Sequence, residues 1–290
     1  MSLPRQPSIL SVEGEVEARW RLDAPLRYMD ATDDGSLTLA TSAATDTLYA
    51  LNGATGEVRS RVGVGDDPQG VRIGPNATRA LVANRASNTV TVVPISDGTI
   101  QTPTEHIRVG QSPQSVAFAP DGRRAYVTVS GENRVAVLDL AHMGVDTTIP
   151  VSGTPHGIAV APDGGRLYVT ARKRGDVAVV DMERGAVIWH VVVGDNPQAV
   201  AVAPDGERVY ASSLGSNRVD IIDAATLDAP RTIGVGDGPH SLEFGPGGRY
   251  LYVVVTRAPE LAVLDTESLD VVERIPLEAK PFWLQVLEGR

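Results

Sequence analysis

A proline recurs along the chain at Pro25, Pro68, Pro113, Pro155, Pro197, Pro239 and Pro281, at intervals of 43, 45, 42, 42, 42 and 42 residues. A period this regular over the whole length calls for one supersecondary unit repeated, because a single irregular core imposes no such beat. In the third unit, residues 116–119, 125–129, 135–138 and 146–151 are short runs rich in β-branched and other apolar residues. Turn residues, Pro120-Asp121-Gly122 and Ser130-Gly131-Glu132-Asn133, separate the first three runs, which is the signal of antiparallel hairpins. No segment sustains the i, i+3, i+4, i+7 apolar spacing of an amphipathic helix. Four short strands in a unit of about 42 residues predict the blade of a β-propeller.

The same register returns in other units. Pro-Asp-Gly recurs at 162–164 and 204–206, and Asp-Gly suits a hairpin turn that needs positive φ. A tyrosine follows at Tyr126, Tyr168, Tyr210 and Tyr252, placed to pack between neighbouring sheets. An aspartate closes the third run at Asp139, Asp181, Asp223 and Asp265, where its carboxylate can accept from the backbone of the next turn. Tyr126-Val-Thr-Val and Tyr168-Val-Thr-Ala, followed by Arg-Val-Ala-Val-Leu-Asp and Asp-Val-Ala-Val-Val-Asp, resemble the YVTN β-propeller repeat. The resemblance covers nearly the whole chain and implies the fold. Surface-layer, periplasmic and lactonase-like proteins share it, so it implies no single activity. The consensus asparagine of that repeat is present at Asn84; Val129, Ala171, Ser213 and Val255 stand at the equivalent places.

The expected fold is therefore an all-β, seven-bladed β-propeller forming a single domain over residues 1–290, with its last blade closed by both chain ends. After Pro281 only enough chain remains for one innermost strand, at 282–286. Residues 8–12 and 15–22 supply two outer strands, so residues 1–22 would complete the seventh blade and remove the open sheet edges. A six-bladed ring with overhanging ends is the rival.

Composition narrows the function. The chain has no cysteine, which excludes disulfides and thiolate metal sites. A net charge of -10 argues against nucleic acid as a partner, since such binding needs a basic surface. The opening residues lack the apolar stretch of a secretory leader, and no segment is long and apolar enough to span a membrane. As written the chain reads as a soluble cytoplasmic monomer with no membrane partner, or as an exported one if a leader has been removed.

In a propeller the residue after each repeat proline begins an innermost strand and faces the mouth of the central channel. That ring reads Leu26, Gln69, Gln114, His156, Gln198, His240 and Phe282. Three residues further in come Met29, Arg72, Ala117, Ala159, Ala201, Glu243 and Gln285, with Arg27 and Asp30 nearby in the atypical first unit. Alanine suits tight packing at the axis; Arg72 and Glu243 break that rule and need a partner or water. A concave mouth with convergent polar groups is the default ligand site. His156, His240 and Glu243 are the acid–base candidates. Gln69, Arg72, Gln114, Arg172, Gln198 and Gln285 are the ligand-binding candidates. Arg172-Lys173-Arg174 is the most basic run and sits next to His156, where it could hold an anion. Two histidines fall short of the three or four ligands a zinc site wants, so no metal and no cofactor are assigned. Two functions follow: binding of a small molecule or a protein at the mouth, or a lactonase-like hydrolase or lyase working there.

Overall fold

The computed structural model describes residues 8–10, 16–19, 22–277, 281 and 283–286. Six sheets of at least four strands follow one another along the chain, and a separate hairpin pairs Ser8–Leu10 with Val16–Arg19. Blade 3 is representative: Pro113–Phe118, Arg124–Val129, Arg134–Asp139 and Gly144–Pro150 pair antiparallel in chain order. Blades 4, 5 and 6 repeat it with innermost strands Pro155–Val160, Pro197–Val202 and Pro239–Phe244. No α-helix occurs among the described residues; two single 3-10 turns do, at Ser130–Glu132 and Pro246–Gly248.

The one long interval, from Pro68 to Pro113, has a local cause. In blade 2 the third strand runs on to Thr89–Ser96, turns at Asp97-Gly98, and returns as Thr99–Ile100 before the outer strand Glu105–Arg108 pairs with the same third strand. Both turn residues have positive φ, 53° and 66°.

The core lies between blades. Five apolar clusters each join two neighbouring sheets, as where Tyr126, Val135 and Val137 of blade 3 meet Ile158, Leu167 and Val169 of blade 4. Tyr168 and Tyr210 do the same one and two blades on, and Tyr210 meets Phe244 edge-on at 5.4 Å. A fully buried Val, Leu or aromatic side chain contributes about 1.5–3 kcal/mol, so these seams carry most of the stability. The repeated aspartates accept backbone N–H groups of the following turn, Asp139 from Ala141 and His142, Asp223 from Ala225 and Thr226.

The two ends of the series are covered by the chain termini. Leu22 and Ala24 pack on blade 1, while Leu277 and Leu284 pack on blade 6. Trp283 donates its indole N–H to the Met29 carbonyl at 2.9 Å and meets the Tyr28 ring edge-on at 4.8 Å. The innermost strand expected at 282–286 is not formed as a strand over 283–286, and Phe282 lies outside the described residues. Residues 11–12, 15 and 20–21 of the two expected outer strands also lie outside them.

Candidate ligand site at the channel mouth

A buried hydroxyl fixes four of the mouth residues, Gln69, His156, Gln198 and His240. Thr128 accepts the Ser115 N–H at 3.0 Å and donates to the His156 carbonyl of the next blade at 2.7 Å. Thr170 does the same for Gly157 and Gln198, and Ser212 for Ala199 and His240. Gly157 allows the next blade this close: a Cβ there would lie 2.5 Å from the Gln198 carbonyl oxygen. The mouth residue sits in a bulge, where the register skips between the proline and the residue three places on.

Blade 1 corrects the expected ring by one residue. Its hydroxyl is Thr41, which takes the Tyr28 N–H and donates to the Gln69 carbonyl. Asp30 pairs with Leu39 in the place where Arg72 pairs with Leu81 and Glu243 with Tyr252. Arg27 therefore holds the mouth position expected for Leu26, which is buried in the seam with Tyr49 and Leu51, and Asp30 holds the channel position expected for Met29. The first unit has one extra residue between its proline and its channel position.

The mouth residues divide by what they bond. Gln69 donates its amide to the Asp67 carbonyl and carboxylate at 3.1 and 2.7 Å. Gln198 donates to the Asn196 carbonyl and side-chain oxygen at 3.1 and 2.9 Å, and Gln114 to the Ser112 carbonyl at 3.4 Å. These three amides brace their own loops. His156 and His240 are each 8% exposed. Burial pushes the His156 imidazole down to about 3, helped by the charges of Arg172, His240 and Arg27, so it is neutral at pH 7. Arg172 reaches the same place from the loop after the second strand of blade 4. Burial lowers its pKa, and Tyr28 of blade 1 acts weakly in the other direction. Its Nε donates to Asn196 Oδ1 at 2.9 Å; its Nη groups have no hydrogen-bond partner among the described residues. Arg27 and Arg85 share the carboxylate of Asp67 at 3.2 and 2.5 Å.

Deeper in the channel, Arg72 donates to Asp30 at 2.8 Å, and the Asp30 carboxylate also accepts the Ile73 N–H at 2.6 Å. Burial pushes the Asp30 carboxyl up against the pull of Arg72. Burial opposes charge on Arg72 too, but Asp30 and Glu243 outweigh it and hold the guanidinium protonated. Glu243 keeps some access to the channel yet is surrounded by protein. Burial pushes its carboxyl up to about 7, with Arg72 lowering and Asp30 raising it. Two carboxyls thus share one guanidinium, and burial pushes both toward the protonated form. The side-chain oxygen of Gln285, the residue expected at this level, is buried with no hydrogen-bond partner among the described residues.

Two of the acid–base candidates, His156 and Glu243, respond to different charges. His156 answers to Arg172, His240 and Arg27, whereas Glu243 answers to Arg72 and Asp30. Among the described residues, no three His, Asp or Glu side chains gather as a metal site. Two grooves lie on the opposite face. One of about 360 Å³ is lined by Arg79, Arg124, Asp139 and Leu140 at the seam of blades 2 and 3. The consensus asparagine, Asn84, is buried and ties two strands together through Thr89 and Thr91 at 3.1 and 2.8 Å.

The architecture is shared with solved proteins. Hydrazine synthase of Kuenenia stuttgartiensis superposes with a TM-score of 0.81 at 21% identity, over 93% of this chain and 92% of that one. A functionally unknown protein from Desulfotomaculum acetoxidans gives 0.79 at 18%, with the same coverage of 93% and 92%. At these identities the likeness concerns the fold alone. The comparison with curated proteins gives no match. The model of the YNCE-like beta-propeller family matches residues 28–208, in keeping with the YVTN-type repeat. Because that match spans well over half of the chain, the protein belongs to the YNCE-like β-propeller family.

Proposed function

We propose that this propeller binds a small molecule at the mouth of its channel and does not transform it. The observation that carries the reading is Arg172 at the mouth: its N–H bonds the Thr154 carbonyl two residues before His156, its Nε bonds Asn196 two residues before Gln198, and burial there disfavours charge. A structural channel needs no guanidinium at its mouth; the alanines of blades 3 to 5 show that the ring closes without charge. A lactonase-like hydrolase or lyase is the second reading. Its support is Glu243, a carboxyl titrating near neutrality, as a general acid or base should. Against it, Glu243 answers to a different set of charges from His156, and a base needs its partner within hydrogen-bond reach.

A thermal-shift panel of lactones, sugar acids and phosphorylated compounds, with product formation followed in the same samples, tests both. The expected result is a saturable rise in melting temperature for one class, without turnover, that is lost in Arg172→Gln. Turnover that disappears in Glu243→Gln would replace binding with catalysis. A ligand whose effect survives Arg172→Gln and His156→Gln together would move the site off the mouth.

A further inference from the structure

We propose that the outer edge of blade 4 pairs antiparallel with the same edge of a second copy of this chain, in place of the monomer expected from the sequence. The outer strand there is Ala186–Val192, and among the described residues no strand pairs with its free side.

The first argument compares the outer strands. An open strand edge offers unpaired N–H and C=O groups to any other strand, and chains guard it with charge, proline or shortness. The other outer strands, Val58–Gly63, Glu105–Arg108, Gly144–Pro150, Arg231–Gly234 and Asp270–Pro276, each carry at least one Asp, Glu or Arg. Ala186–Val192 carries no Asp, Glu, Lys or Arg, and no proline or glycine. The register sharpens the contrast. Trp189 lies opposite Val179, and the matching places in the other blades hold Ser60, Glu105, Thr147, Arg231 and Glu273. Val192 lies opposite Asp176, and there the other blades have Gly63, Arg108, Pro150, Gly234 and Pro276, residues that weaken or block further pairing.

The second argument is exposure. Trp189 is 56% exposed and Val192 72%. The other exposed large apolar residues each adjoin a charge: Val58 adjoins Arg59, Val145 adjoins Asp146, Val272 adjoins Glu273, and Arg249 lies 5.4 Å from the centre of the Tyr250 ring. Val192 stands between Val191 and Val193, and His190, beside Trp189, is turned to Asp176 of its own sheet at 3.2 Å.

The third argument selects the second copy. A chain with net charge -10 meets itself most easily where carboxylates are absent. Antiparallel pairing about a two-fold axis sets the start of one strand against the end of the other. Before the strand stand Asp181, Glu183 and Arg184, two acidic residues and one basic, net -1. At its far end stand Arg172, Lys173, Arg174, Asp176 and Asp195, three basic residues and two acidic, net +1. Opposite charge therefore meets at both ends, with valine, isoleucine and tryptophan on their like between. The two-fold arrangement also closes both open edges at once, so that no edge is left to recruit a third copy.

The whole chain is followed by light scattering during size-exclusion chromatography. A pair of seven-residue strands falls at the small end of specific interfaces, so the mass should rise from one chain to two between about 1 and 100 µM. Trp189→Glu and Val192→Pro copy the residues that blades 2 and 6, and blades 3 and 6, carry at those places. Each should shift the transition upward by about tenfold or more. Val272→Lys, on the outer strand of blade 6, is the control and should dimerise as the parent does. Amide exchange of residues 186–192 should slow as the parent dimerises, a readout that needs no variant. Circular dichroism and melting at low concentration show whether the variants are folded. A parent that stays monomeric at about 100 µM overturns the proposal and leaves the edge to a foreign strand. A dimer that survives both variants, or that leaves exchange at 186–192 unchanged, overturns it as well, since the copies then meet elsewhere. Masses beyond two chains overturn the two-fold closure.

Discussion

Mouth and channel lie three residues apart on the same innermost strands, and burial drives their titratable groups in opposite directions. At the mouth it strips the proton from His156; in the channel it pushes the Glu243 carboxyl up to about 7. Both shifts obey one rule, that a poorly solvated site prefers the neutral form. What differs is how each level handles the charge that remains. The channel pairs its arginine at 2.8 Å with a buried aspartate. The mouth leaves Arg172 with an amide partner only. The channel is thus closer to electrostatic closure on its own, and the mouth is the level at which a ligand gains most.

The largest effect should come from breaking the channel pair. Asp30→Ala removes the carboxylate that receives Arg72 and the Ile73 N–H, and should cost about 3 kcal/mol in a denaturant titration, the usual scale for stranding a buried partner. Part of that loss should be returned by Glu243, whose titration should fall toward the ordinary carboxylate range once its like-charged neighbour is gone. An unchanged stability would mean that channel water already satisfies Arg72. Next in size is Trp283→Ala. Trp283 holds Tyr28 and Met29, the residues between the mouth position Arg27 and the channel position Asp30. Its loss should cost about 2–3 kcal/mol, below the range for a fully buried tryptophan because the ring is half-buried. It should also weaken ligand binding and shift Glu243 together, whereas effects confined to one level would show that the two are independent.

The blades themselves were legible in the sequence because each packing demand repeats. Tyr168 and Tyr210 fall in the seams, Gly122, Gly164 and Gly206 have positive φ in their turns, and the aspartates cap the turns expected of them. In blade 1 the proline lies one residue too early to mark the mouth position. The signal that corrects it is also in the chain: Thr41 follows Tyr28 by 13 residues, as Thr128 follows Ser115 and Thr170 follows Gly157. Counting from the hydroxyl instead of the proline places Arg27 and Asp30 where the structure has them. The splitting of His156 from Glu243 was not legible, because a repeat period gives position round the ring but not the depth at which side chains meet. Nor does it show that Gln69 and Gln198 turn back to their own loops, which depends on the acceptors Asp67 and Asn196 two residues earlier.

A smaller and oppositely signed effect should follow Glu243→Gln. A carboxyl raised in the folded state keeps its proton there while the unfolded chain has released it, so its contribution to stability falls as pH rises from about 4.5 to about 7. Replacing it by the neutral amide removes that loss and should raise stability at pH 8 by about 1–2 kcal/mol, channel water screening the rest. Destabilisation at pH 8 instead would mean that Glu243, not Asp30, is the main counter-charge of Arg72.

The smallest change at neutral pH should be His156→Gln, under about 1 kcal/mol, because glutamine already stands at the same position in blades 2, 3 and 5. Its effect should appear in the pH profile. A histidine whose folded pKa is depressed contributes stability above its unfolded value near 6.5, and that contribution is lost as pH falls toward about 3. Between about 4.5 and 6.5 this slope opposes that of Glu243, so the native protein should show a nearly flat profile there. His156→Gln should expose the falling slope of Glu243, and Glu243→Gln the rising slope of His156; the double variant should be flat again. Melting midpoints of the four proteins across this window measure it directly. Slopes that do not separate would show that mouth and channel titrate as one coupled unit, and the division of the axis into two levels would have to be given up.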